Sequence, residues 1–181
     1  MQSPFKNKLV YQDLLTAPED GNRYELLDGD VCVTPAPSPA YQRIVLGLTL
    51  RFVEYFHGRG LGEVFVSPID VILTERDVLE PDILVVADPA QISTRGIEGA
   101  PLLVVEVLSP STSDGDRTVK AQRYSRLGVP HSWLVDPDEK RIDCLRVRGG
   151  VYELVVAAGG DQVLTHPDWD GLRIELRGLW R

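Results

Sequence analysis

Glu106 is the residue whose setting most asks for chemistry. It sits inside the run PLLVVEVLS, residues 101–109. In a strand, Leu102, Val104, Glu106 and Leu108 share one face and Leu103, Val105 and Val107 the other. Both faces are otherwise apolar, and an unpaired buried carboxylate costs several kcal/mol. Unless it is a strand-end glutamate pointing to solvent, Glu106 needs a cation, a metal or a proton. Asp82 opens a second short apolar run, EPDILVVA. If the two runs pair antiparallel, Asp82 and Glu106 meet at one edge of the sheet. Two carboxylates held close repel and favour a divalent cation between them. Oxygen-only ligands suit Mg²⁺ or Mn²⁺ rather than Zn²⁺. Taken alone, Asp82 reads equally well as a turn residue after Pro81.

The next candidates are cationic. Arg117, Lys120 and Arg123 recur at steps of three, followed by Arg126, with no acidic residue between them. A solvated basic face is the ordinary fate of such a run. The functional alternative sets Lys120 beside the two carboxylates and the arginines along a phosphate backbone. Net charge is −8, and residues 61–100 hold 2 basic against 8 acidic groups. That acidity counts against broad nonspecific nucleic-acid binding, and it makes the run from Arg117 to Arg126 the one concentrated basic patch. His57, His131 and His166 read as surface or turn residues without a partner at ligand spacing.

These residues need elements to hold them. With 181 residues, 43% hydrophobic and 25% charged, the chain is an ordinary globular one, expected as a single domain over 1–181. No stretch approaches the roughly 20 apolar residues of a membrane helix. The N-terminus lacks a signal peptide's apolar core. Cys32 and Cys144 stand alone, as reduced thiols of a cytoplasmic protein do. A short helix is expected at Tyr11 to Leu15, and a hairpin around Asp28-Gly29. Thr34 to Pro39 reads as a loop. Ile44, Leu48, Phe52 and Phe56 mark an amphipathic helix over 40–57. Strands are expected at Glu63 to Leu73, Asp82 to Ala87, Leu102 to Leu108 and His131 to Val135. Ser109 to Asp116 reads as a loop before a helix from about Arg117 to Leu127. Arg141 to Arg148 and Val151 to Val156 flank a second hairpin at Gly149-Gly150. One strand is expected in the tail, at Arg173 to Leu176. The fold class is α/β or α+β: a mixed sheet flanked by helices, with additional hairpins.

Pro81-Asp82, Glu106-Val107-Leu108 and Lys120 resemble the PD-(D/E)XK nuclease signature, with the lysine displaced to the following helix. Leu108 stands where the motif usually has it. YELLDGD, SPIDVIL, EPDILVV, VVEVLSPST, DRTVKAQRY and GVPHSWLVDP occur in the order seen in a bacterial family of restriction endonucleases best known from cyanobacteria. The resemblance spans about residues 20–155. It implies a restriction-endonuclease-like fold and a metal site of Asp82, Glu106 and the Val107 carbonyl. It further implies Lys120 as cationic partner and Glu25, in YELL, as an added carboxylate. Asp70 is a further motif position. Similar proteins often carry histidine where this chain has Tyr41. The function implied is Mg²⁺- or Mn²⁺-dependent hydrolysis of DNA phosphodiester bonds, with Arg117 or Arg123 holding a flanking phosphate. Cleavage of both strands implies a homodimer. The competing readings are a nuclease-fold scaffold that binds nucleic acid or protein without cutting, and a phosphoesterase acting on small substrates.

Overall fold

The computed structural model describes residues 8–34, 37–108 and 114–180, with the side chains of 114–117 outside that description. Turn chemistry shapes the first elements. Helix α1 (Tyr11–Leu14) precedes a hairpin of β1 (Arg23–Leu27) and β2 (Asp30–Thr34). Its turn residues Asp28 (φ 52°) and Gly29 (φ 75°) are both left-handed, as a type I′ turn requires. A Cβ at Gly29 would also sit 2.8 Å from Lys8 Cβ and 2.9 Å from the Leu9 carbonyl oxygen. Helix α2 (Pro39–Phe52) is capped by the Ser38 hydroxyl, which accepts the Tyr41 N–H. It widens into a π turn, Val53–His57. Its stripe Ile44, Leu48, Phe52 and Phe56 is buried. Each such side chain contributes about 1.5–3 kcal/mol.

Glu63 to Leu73 is not the single strand expected. It is β3 (Glu63–Val66) and β4 (Val71–Thr74), in different sheets. Pro68, between them, lacks the N–H that a central strand must donate. Then come β5 (Asp77–Leu79), β6 (Ile83–Val86), the two-residue β7 (Ile97–Glu98) and β8 (Leu103–Val107). Sequence reasoning missed β5 and β7, which are too short to show a period. The chain continues through α3 (Asp114–Arg126), β9 (His131–Asp136), β10 (Arg141–Arg148) and β11 (Val151–Gly159). The loop expected before α3 falls largely outside the described residues. The tail is a ribbon of β12 (Val163–His166) and β13 (Trp169–Glu175) rather than one strand.

The central sheet has the order β11-β10-β9-β8-β6-β3, with β8 and β9 parallel and the other neighbours antiparallel. A second sheet runs β2-β1-β5-β4-β7. The central sheet buries both faces, which is why β6 and β8 read as continuous apolar runs. Ile83, Val85, Leu103, Val105, Val107 and Trp133 pack on α2 and the terminal ribbon. Leu84, Val86 and Val104 meet Leu27, Val71 and Leu79 of the second sheet and Tyr124 of α3. Glu106 shares the Val104 face, so it points into the space between the sheets and α3. Among the described residues no helix is long and apolar enough to cross a membrane. The result is a mixed α+β fold.

Candidate active site

Register brings the carboxylates together. Strands β6 and β8 pair antiparallel, with Ile83 opposite Val105, so Asp82 lies beside the end of β8. Its N–H donates to the Val105 carbonyl (3.0 Å), and the Val107 N–H donates to Asp82 Oδ2 (2.6 Å). Asp82 is 1% exposed. Its Oδ1 accepts Arg23 Nη1 at 2.8 Å and also the Tyr41 hydroxyl. Arg23 donates further to the Glu80 carbonyl, 3.1 Å away. Burial alone would lower the Arg23 pKa, but the Asp82 charge outweighs it and keeps the guanidinium firmly charged. Burial, then the Asp82 charge, pushes the Tyr41 hydroxyl pKa up. Tyr41 is therefore a neutral donor that holds Asp82.

Glu106 and Lys120 face each other across the same space. The Glu106 side chain is 12% exposed, with Oε2 3.6 Å from Lys120 Nζ. Its Oε1 accepts the Tyr124 hydroxyl at 2.8 Å. Burial pushes the Glu106 pKa up to about 7; Lys120 opposes the shift, and Asp82 and Glu25 add to it. Lys120 Nζ also lies 2.8 Å from Glu25 Oε1, which accepts the Glu80 N–H as well. Burial would lower the Lys120 pKa, but the carboxylates of Glu106 and Glu25 hold it up, so the ammonium stays charged. Glu25 is 0% exposed, and its Oε2 has no hydrogen-bond partner among the described residues. Glu80 Oε2 is likewise unpartnered. Burial, then Asp70 and Glu25, raises the Glu80 pKa to about 7. Asp70 thus bears on Glu80, and burial raises its own pKa.

This donor set fits a hard cation. Three carboxylates (Asp82, Glu106 and Glu25) stand against two cations (Arg23 and Lys120), and the buried Glu25 Oε2 lacks a donor. As a trio these carboxylates do not close to mutual ligand spacing. The group that does, among the described residues, is His131, His166 and Asp168. That group corrects the histidine expectation: His131 and His166 are 8% and 4% exposed, packed with Trp133 and Trp169.

Sequence reasoning missed Arg23, Tyr124 and Glu80. Arg23 had a signal, because it lies two residues before Glu25 and so on the same face of β1. Tyr124 lies one helical turn after Lys120.

Arg123 is committed elsewhere. Its Nε and Nη2 grip Asp77 at 2.7 Å each, and Asp77 also accepts the Asp28 N–H at 2.9 Å. Asp77 therefore ties the β1–β2 turn to α3, which sets Glu25 against Lys120. The Arg117 side chain lies outside those described. Because Asp77 keeps the Asp28 N–H and the Thr74 hydroxyl, Arg123→Met should cost about 3 kcal/mol of stability, the low end for a broken buried pair. Chemical denaturation reads that cost. DNA affinity measured under native conditions should stay within twofold, and a larger drop would return Arg123 to the phosphate-binding role.

The mixed central sheet, its flanking helices and the clustered Asp82, Glu106 and Lys120 define a restriction-endonuclease-like protein. The chain belongs to the Uma2 family, described as "Putative restriction endonuclease", whose model matches residues 11–177. The fold is similar to the crystal structure of "a putative nuclease belonging to DUF820" from Anabaena variabilis ATCC 29413. The TM-score is 0.76 at 20% identity, over 95% of this chain and 97% of that one. In sequence the chain is similar to the uncharacterized protein slr1290 of Synechocystis sp., 29% identical over 114 residues. That match spans 62% of this chain and 60% of the Synechocystis protein.

Proposed function

We propose that this protein is a divalent-metal-dependent endonuclease that hydrolyses phosphodiester bonds in DNA. The observation that carries the reading is the meeting of Asp82, Glu106 and Lys120 at one end of β6 and β8. Asp82, Glu106 and the Val107 carbonyl would hold Mg²⁺ or Mn²⁺, which supplies Lewis acidity toward phosphate oxygens and a lowered pKa for a bound water. Lys120 orients the attacking water and stabilises the charge that develops on the phosphate. Glu25 aims the Lys120 ammonium. Tyr41 and Arg23 hold Asp82 in place, so a histidine at position 41 is not needed for that task. A homodimer in the cytoplasm, with one site per strand, is the assembly this reading implies.

One observation favours the scaffold reading. Both Asp82 oxygens already have partners in Arg23, Tyr41 and the Val107 N–H. Calorimetric titration of Mg²⁺ and Mn²⁺ into wild type and Glu106→Ala separates the two, with a noncleavable DNA duplex present and absent. Saturable binding lost in the variant, together with metal-dependent nicking of plasmid DNA, is the expected result. No binding at millimolar metal, even with the duplex, would sink the nuclease reading and leave a binding scaffold.

A further inference from the structure

We propose a second metal site, for a borderline first-row divalent cation of the Zn²⁺ class, formed by His131, His166 and Asp168. It is separate from the Glu106 site. His131 opens β9 opposite Leu103, at the other end of β8 from Glu106 and Val107. It shares its strand face with Trp133 and Val135, which pack against α2. His166 closes β12, and Asp168 lies in the turn to β13.

The ligand geometry is nearly formed. One ligand atom from each residue lies within 4.8 Å of the other two, and His131 Nε2 stands 4.0 Å from Asp168 Oδ2. Tetrahedral N/O coordination at bonds of about 2.1 Å separates ligand atoms by about 3.4 Å, so no pair needs to close by more than about 1.4 Å. Movement of the Asp168 side chain, 27% exposed, can supply much of that closure.

His131 supplies an independent sign of a missing partner. It is 8% exposed, and neither ring nitrogen makes a hydrogen bond among the described residues. Its Nδ1 is buried and unpartnered, while its Nε2 faces the Asp168 carboxylate at a distance too long for a hydrogen bond. Buried imidazoles normally find a partner. His166 Nδ1 accepts the Asp168 N–H at 3.2 Å, a hydrogen bond that a metal on this nitrogen would replace. The distal His166 Nε2 is buried and unpartnered.

The surroundings hold these groups in place. Trp169 stacks on His166 at 4.2 Å between ring centroids and tilts over His131 at 4.6 Å. Arg146 lies 2.5 Å from Asp168 Oδ1, which steadies the carboxylate and leaves Oδ2 for the metal. Two imidazole nitrogens and one carboxylate oxygen select Zn²⁺ over Mg²⁺, which prefers oxygen alone. Water completes the fourth position. The site would clip the terminal ribbon, which closes the α2 core, onto the central sheet.

The test uses full-length protein stripped with EDTA and kept in excess Mg²⁺, so the Asp82–Glu106 site does not compete. Co²⁺ should give the absorption band of tetrahedral coordination at one equivalent, displaced by Zn²⁺. The band should survive in Glu106→Ala and vanish in His166→Gln. Because His166 is in the core, Asp168→Asn, at a side chain partly open to solvent, is the second variant, and it should lose the band while remaining folded. Zn²⁺ at about a hundredfold over Kd should raise the Tm by about 5–10 °C, reversed by EDTA, in wild type and not in Asp168→Asn. No Co²⁺ band in wild type, or equal binding by Asp168→Asn, would overturn the proposal and leave two neutral histidines packed among tryptophans.

Discussion

Glu106→Gln should lower metal-dependent cleavage at least about a thousandfold, roughly 4 kcal/mol of transition-state stabilisation, and leave the protein folded. The reason is local. Glu106 Oε1 has the Tyr124 hydroxyl, which an amide can also satisfy, and Oε2 faces Lys120 at 3.6 Å rather than bonding it. Removing the charge therefore removes a ligand without orphaning a donor. It also lifts the desolvation penalty that raises the Glu106 pKa to about 7. The measurement is a nicking assay with Mg²⁺, beside a thermal melt of the same sample. Cleavage within tenfold of wild type would remove Glu106 from the metal site. Asp82→Ala differs, since the buried carboxylate holds Arg23, Tyr41 and the Val107 N–H. It should lose activity and stability together, which makes Asp82→Asn the better probe of that position.

Lys120→Ala should cost about 3–5 kcal/mol of stability, because it leaves Glu25, 0% exposed, as an uncompensated buried carboxylate. It should also cut turnover about 10²–10³-fold through loss of transition-state charge stabilisation. The two effects separate in the double variant Lys120→Ala/Glu25→Gln. Neutralising Glu25 should restore most of the stability and none of the turnover. Mg²⁺ affinity should change little in either. If the double variant regains turnover, Lys120 acts only to neutralise Glu25. If Lys120→Ala weakens metal binding strongly while turnover at saturating metal stays normal, its assigned role fails.

Much of the architecture was legible along the chain because its signals are local. The Ile44-Leu48-Phe52-Phe56 stripe, the Asp28-Gly29 turn and the apolar runs of β6 and β8 each act over a few residues. Glu106 was legible for the same reason, as one carboxylate in an apolar strand. Position 63–73 was misread because its β-forming composition is the same on both sides of Pro68, whereas the sheet each half joins depends on distant partners. Of the terminal ribbon only one strand was read, at Arg173 to Leu176, where Ile174 and Leu176 are buried on either side of the exposed Glu175; its four-residue partner β12 is too short to show a period.

The sequence by itself determined which residues carry charge into apolar surroundings: Asp82 at the head of one run, Glu106 within another, and Lys120 on the basic helix. Only the tertiary structure decided what each of them meets. Register set Asp82 against Val107, while β1 carried Arg23 and Glu25 in from far along the chain. The Asp77 bridge took Arg123 out of the basic face, and ribbon packing buried two histidines beside Asp168. The physical reason is that burial and ion pairing are properties of chain segments brought together. A residue's type announces the cost of desolvating it, but only the fold supplies the partner that offsets that cost.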